Sequence, residues 1–309
     1  MNQKSNFDAV IVGAGLAGLS AAMVAARIRL RVAVVDAGEP RNAAAEHSQG
    51  FITRDGESPA ELLRTARAEV ADYGVQLVSD SVQSGTRVES GFELKLASGT
   101  ALSASQLVVA TGIRDVLPEL PGLRELWARD AIICPFCHGW EARDSATVLW
   151  AGTAMDLHKA LIVSQLTGNL TVLLEQAVLD AEEQQLTTLR NRGVRVLVAE
   201  ASALQSKKDS QGRPRLSGVA LAGGEVLAAD TFYLSGQMQP RDELLLSLGA
   251  RTKQTPFGPF VEVDASGLSS VPGLWAAGNV VDPGAQLIHA ASQGYRVGAA
   301  VAMAHISRG

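Results

Sequence analysis

Residues 8–36 read DAVIVGAGLAGLSAAMVAARIRLRVAVVD, and this stretch decides the fold. DAVIV at 8–12 is a short, β-branched apolar run, as expected of a strand buried on both faces. Gly13, Gly15 and Gly18 then fall at GxGxxG spacing, with Leu16 and Ala17 between the last two. Helix formers follow over 15–29, and RVAVVD at 31–36 is a second strand ending in Asp36, 23 positions after Gly13. Each part meets a need of a bound dinucleotide. Gly13 permits the tight turn, Gly15 lets the backbone approach a pyrophosphate, and Gly18 lets helix and strand pack closely. The helix N-terminus attracts phosphates, and the acid accepts hydrogen bonds from ribose hydroxyls. The apolar run 9–26 also suggests a signal or membrane helix, but its spaced glycines and its AVIV start fit strand–turn–helix better.

A chain of 309 residues suits roughly two domains. Net charge is −5, from 27 basic and 32 acidic residues without blocks of one sign. That pattern argues against nucleic acid or an anionic membrane as the main partner. The two cysteines sit three positions apart, which is no secreted disulfide scaffold and points to a reducing, cytoplasmic setting. Ser58, Pro59 and Gly74 bracket a helix over 57–74, and short strands alternate through 75–110. A second strand–helix–strand unit follows at 146–151, 155–167 and 170–174. Residues 205–217 read as a polar hairpin or loop, and the tail runs from a strand at 273–280 into a long helix from Gln286. The expected class is α/β, with two doubly wound dinucleotide-binding domains, the second inserted into the first. The first is expected at 1–115 and 242–309, the insert at 116–241.

Cys134-Pro135-Phe136-Cys137-His138-Gly139 carries the sharpest chemistry. Two thiols in CxxC can close a disulfide within one turn, and a helix start or a nearby base lowers the pKa of one of them. A zinc site would need further ligands at metal spacing, which are missing, so no metal is expected. Two inert buried cysteines are the plainer alternative. The second βαβ unit should carry GxGxxA if it bound a pyridine nucleotide, yet it reads Ala151-Gly152-Thr153-Ala154-Met155-Asp156. Both defining glycines are replaced, Asp156 would repel a pyrophosphate, and Glu175 would repel a 2′-phosphate.

The first GxGxxG, Ala110-Thr111-Gly112 at a strand end, the CxxC, and Ala277-Gly278-Asn279 before the last helix come in the order found in low-molecular-weight thioredoxin reductases. The chain resembles that family over essentially its whole length. The resemblance implies FAD as the cofactor, with Gln286 and Leu287 facing the flavin O2 side and Asn279 near the ribityl chain, where the family usually has Asp. It also implies cofactor contacts at Ala37, Arg41, Asn42 and Val82, and at His47, whose loop the fold should bring towards the flavin. Cys137 would then lie against the isoalloxazine and Cys134 would meet the substrate. His138 stands where the family has an acid/base Asp and could move a thiol proton; the alternative is a histidine that merely packs.

CPFCHGWE, GFITRDG at 50–56, VVDAGEPRN at 34–42 and WAAGNVVDP at 275–283 narrow the resemblance. They are similar to the flavin dithiol oxidases that close the disulfides of gliotoxin, holomycin and romidepsin. That similarity implies oxidation of a small-molecule dithiol, electrons passing to FAD, reoxidation by O2 or another acceptor, and a homodimer. Two other readings stay open at this point: a disulfide reductase fed by ferredoxin or another carrier, and a flavin-binding redox sensor.

Overall fold

The structure is a computed structural model that describes residues 5–181 and 183–307. They form two compact units, one of Met1–Ala43, Phe51–Asp115 and Met238–Gly309, the other of Ala44–Gly50 and Val116–Gln237. The first unit opens with β1 (Ser5–Val12), α1 (Leu16–Arg27) and β2 (Val32–Asp36). It continues with α2 (Pro59–Asp72), β3 (Gln76–Ser79), β4 (Val82–Val88), β5 (Gly91–Leu96) and β6 (Ala101–Val109). Helix α2 starts where its cap demands, with Ser58 Oγ accepting the Glu61 N–H at 3.2 Å and Pro59 at the first position.

The chain leaves through β7 (Ile113–Val116) and returns through β16 (Gln237–Pro240), and these two strands pair. Between them run α3 (Leu123–Leu126), β8 (Ala131–Ile132), α4 (Pro135–His138), β9 (Thr147–Ala151), α5 (Ala154–Val163) and β10 (Leu170–Leu174). Then come α6 (Gln176–Ala181), α7 (Glu183–Asn191), β11 (Arg195–Val198), β12 (Ala201–Lys208), β13 (Pro214–Leu221), β14 (Val226–Ala228) and β15 (Thr231–Tyr233). The first unit closes with α8 (Glu243–Ser247), the β17–β18 hairpin (Thr252–Thr255, Gly258–Val261), β19 (Leu274–Ala276) and α9 (Leu287–Ile306).

Two boundaries differ from expectation. The return begins at Met238, four residues before 242, because β16 is already paired with β7. Residues Ala44–Gly50 join the second unit, where Glu46 accepts from Arg213 at 3.1 Å and lies 3.6 Å from Arg129.

Both units are α/β with parallel sheets. In the first, the order is β3-β2-β1-β6-β5-β4, with β19 also on β6; β1 is parallel to β2 and β6, and β4–β6 form an antiparallel meander. Side chains alternate across the sheet. Ala9, Ile11, Val32 and Val34 pack under α1, while Val10, Val12, Ala33 and Val35 meet Phe92 and Leu94 on the other face. In the second unit β11-β10-β9-β15-β8 is wholly parallel, and β12–β14 make a separate antiparallel sheet. The segment 205–217 is therefore the β12–β13 hairpin. Buried Asp130, just before β8, takes the Arg215 guanidinium at 2.9 Å and the Leu216 N–H at 2.8 Å. That fixes the strand which delivers the CxxC. Among the described residues no helix is long and apolar enough to cross a membrane.

Helices α1 and α9 touch backbone to backbone. A Cβ at Gly294 would run into the Ala17 carbonyl, and one at Gly298 into the Ala21 carbonyl. Two small-residue helices thus lock the first half of α1 to the middle of α9. Gly294→Ala is expected to cost about 1–3 kcal/mol by overpacking; urea unfolding of the variant beside the parent checks this, and equal midpoints would contradict it.

Candidate active site

The first unit gathers most of the expected cofactor residues around one turn. Gly13 has φ +104°, and its Cα lies so close to the Ala110 carbonyl that a Cβ could not fit, which brings the ATG segment onto the glycine turn. Gly18 packs as tightly on the Gly13 carbonyl. Gly15 is the opposite case: nothing lies within 4 Å of where its Cβ would be. Gly15 is also the N-cap of α1, which has no side-chain cap and no acidic residue in its first turn. The N–H groups at Leu16, Ala17 and Gly18 are therefore set at an open helix start, the arrangement a pyrophosphate needs.

Asp36 stands at the end of β2 as expected, and it has a second task. Its Oδ1 accepts the Ala14 N–H at 2.9 Å, and its Oδ2 pairs with Arg67 of α2 at 2.7 Å. Arg67 was not legible in the sequence as a partner, being one polar residue of an amphipathic helix. Thr111 Oγ1 donates to the Arg241 carbonyl at 2.6 Å, and the Arg241 N–H returns to the Gly112 carbonyl at 3.0 Å. Gly278 sits against Ala17, its Cβ position 3.0 Å from the alanine methyl. Gln286 caps α9, which begins at Leu287, and the His289 ring accepts the Gln286 N–H at 3.3 Å. Arg41 gives Nε and Nη2 to Asp115, each at 2.7 Å. Ala37 and Asn42 follow β2, and Val82 begins β4. His47 is exposed and lies in Ala44–Gly50, which belongs to the second unit.

The second unit holds the sulfurs. Cys134 and Cys137 form a disulfide with Cα atoms 5.3 Å apart. Cys134 is the N-cap of α4, its carbonyl taking the N–H groups of Cys137 at 3.2 Å and His138 at 3.3 Å. Gly139 has no room for a Cβ beside the Pro135 carbonyl and Leu166. His138 is half-buried and its Nδ1 is enclosed without a hydrogen-bond partner. Burial holds this imidazole below its ordinary 6.5, while the Glu141 carboxylate pulls the other way. The same charge adds to burial in raising Tyr233 of β15 to about 12. Phe136 and Trp140 flank the disulfide at 74% and 67% exposure, and the Arg143 guanidinium covers the Trp140 ring at 4.2 Å. Among the described residues no cluster of three or more His, Cys, Asp or Glu could hold a metal.

A glycine turn open to phosphates and a CxxC disulfide on one chain are the two halves of a flavin disulfide enzyme. Residues 7–294 match the family model for pyridine nucleotide-disulphide oxidoreductases. The chain belongs to that family. Membership makes it an oxidoreductase and implies a flavin cofactor. Thioredoxin reductase sirT of Leptosphaeria maculans is 29% identical, over 96% of this chain and 94% of its own. The crystal structure of HlmI superposes with a TM-score of 0.90 at 38% identity, covering 99% of this chain and 95% of that one. An oxidoreductase from Agrobacterium tumefaciens gives 0.89 at 29% identity, over 98% and 100%. The chain is thus a thioredoxin reductase-like flavoprotein.

The open start of α1, the close approach of Ala110 and the start of α9, free of acidic residues, fit a dinucleotide carrying a flavin. The family's other ligand does not fit. The turn between β9 and α5, where a pyridine nucleotide's pyrophosphate would lie, is filled by the chain itself. Asp156 is 1% exposed. Its carboxylate accepts the Thr153 N–H at 3.0 Å, the Thr153 hydroxyl at 2.8 Å, Lys159 Nζ at 3.2 Å and the Ser235 hydroxyl. It thereby occupies the helix start that a phosphate would use. Lys159 completes its coordination on the Leu234 carbonyl at 3.0 Å and Ser235 Oγ at 2.6 Å. Glu175 adds a second carboxylate, its Oε1 3.1 Å from the Cβ position of Gly152.

Proposed function

We propose that this chain oxidises a small-molecule dithiol to a disulfide through Cys134 and Cys137, using FAD. One observation carries the reading: the redox disulfide is retained while the nucleotide turn of the same unit is closed by its own Asp156. Electrons can then enter from thiols and cannot enter from a nicotinamide. FAD would be held by the Gly13–Gly18 turn, Asp36, the Ala110–Gly112 segment, Gly278 and the start of α9.

His138 takes the proton of one substrate thiol. The resulting thiolate attacks Cys134, the Cys134–Cys137 bond breaks, and Cys137 departs as thiolate. The second substrate thiol attacks the substrate sulfur of the mixed disulfide, closing the product and releasing Cys134. The pair now holds the two electrons lost by the substrate. Bound flavin supplies the acceptor that lets the Cys134–Cys137 bond re-form. With O2 as final oxidant the balance is R(SH)2 + O2 → RS2 + H2O2. The similarity of CPFCHGWE and its companion segments to natural-product dithiol oxidases supports a small sulfur-bearing metabolite as substrate and a homodimer, and the single closely spaced cysteine pair supports a cytoplasmic setting. Aerobic turnover of a small dithiol, with matched peroxide release, tests the reading; thiol loss without peroxide or any other acceptor would sink it. The thioredoxin reductase name of the sirT relative favours one competitor, reduction of a protein disulfide, and flavin bleaching by reduced ferredoxin under anaerobic conditions would support it.

His138 gives a pH prediction. The base must be neutral, and burial keeps its pKa below 6.5. The acid-side fall in kcat/KM is therefore expected to have its midpoint below pH 6.5. His138→Phe should lose about 10²-fold in rate and flatten that limb. A limb that survives in the variant would assign it to another group.

A further inference from the structure

Asn279 is half-buried between β19 and α9. Its side-chain nitrogen donates to three main-chain carbonyls, those of Asp282 at 3.1 Å, Pro283 at 3.2 Å and Ala285 at 2.9 Å. Three acceptors around one terminus decide which way the amide is turned, because its carbonyl oxygen has no hydrogen to offer them. Gln293 of α9 ties the same segment from the other side. Its Oε1 accepts the Gly278 N–H at 2.9 Å and its Nε2 donates to Asp282 Oδ2 at 2.7 Å. The Asp282 N–H closes onto the Gly278 carbonyl at 3.0 Å, and the Ala285 N–H onto the Asp282 carbonyl at 3.1 Å. Residues 278–285 thus form a collar that hands the chain directly to Gln286, the cap of α9.

We propose that Asn279 is a positioning residue: its NH2 group staples the 282–285 loop of this chain and so sets where α9 begins, a role that the Asp usual at this place in the family could not fill in this loop. A carboxylate there would face three carbonyl oxygens with no proton to share, so its ionised form is disfavoured in the folded chain. The start of α9 carries no acidic residue in its first turn, and the staple keeps that end in place for the flavin. This last clause rests on the flavin reading above. The staple itself does not.

The test compares Asn279→Asp and Asn279→Ala with the parent in two forms, flavin-bound and stripped of flavin. In the stripped form the thermal midpoint of N279D should fall by about 5 °C near pH 8. That deficit should shrink towards about pH 5, because a carboxyl whose folded pKa is raised regains stability as it takes up a proton. N279A loses the donor without gaining a charge, so its smaller deficit should not vary with pH. Retention of flavin should follow the same order, N279D holding it about tenfold less tightly than the parent near pH 8. Equal deficits in the two variants at both pH values, or parental midpoints in either, would overturn the assignment. If no form binds flavin but the melting pattern appears, the flavin reading fails and the staple stands.

Discussion

Cys137→Ser is expected to end turnover of small dithiols, lowering kcat at least about 10³-fold, the scale of losing a group that makes and breaks bonds. Serine cannot form the disulfide that accepts the substrate's two electrons, so the remaining Cys134 thiol can only exchange with the disulfide product, forming a mixed disulfide as the second substrate sulfur leaves as a thiol. Cys134→Ser should be equally inactive and should form no such adduct, because the sulfur that meets the substrate is gone. The fold should be nearly indifferent. The disulfide closes a loop of only three positions, so it removes little freedom from the unfolded chain. Steady-state thiol consumption, with mass spectrometry of the trapped adduct, checks both variants. An active Cys137→Ser enzyme would remove the proposed route for electrons.

NADPH and NADH should leave the flavin oxidised under anaerobic conditions, at concentrations where a small dithiol bleaches it. The reason lies in Asp156, which already supplies the negative charge that the start of α5 attracts. Displacing it would uncover the Lys159 ammonium, which burial already pushes below its ordinary pKa against the pull of Asp156. Asp156→Ala is accordingly expected to destabilise the chain by about 3–5 kcal/mol, the cost of stranding one member of a buried pair. Replacing Lys159 by Met in the same chain should return much of that loss. Chemical unfolding of the single and double variants measures the coupling. Strict additivity would show that the two side chains do not depend on each other, and rapid bleaching by either nicotinamide would show that the turn admits nucleotide after all.

Much of the fold could be read from local pattern. The stretch 8–36 encodes strand, turn and helix within one window, and Gly13, Gly15 and Gly18 each have the surroundings their spacing demands. The cap of α2 was legible for the same reason, since Ser58 and its partner are three residues apart. What escaped the sequence depends on distant partners. Arg67 reaches Asp36 across 31 positions, Ser235 reaches Asp156 across 79, and Arg41 reaches Asp115 across 74. No periodicity announces such pairs. Asp156 shows the limit well: its charge told against a phosphate, but its role as the helix's own cap required Thr153, Lys159 and Ser235 in place. The three loop carbonyls that take the Asn279 amide nitrogen lie up to six positions away in an irregular segment, so no spacing rule announced them. The Glu46–Arg213 contact, which ties the His47 loop to the second unit, spans 167 positions and is equally silent in the sequence.

Anaerobic mixing of the oxidised flavoprotein with a small dithiol, followed by the long-wavelength absorbance of the flavin, puts the sulfur-to-flavin route to trial. The parent should bleach, while Cys134→Ser and Cys137→Ser should keep their colour under the same mixing. Bleaching that proceeds at the parental rate in the serine variants, or a parent that stays yellow in excess dithiol, would contradict the account.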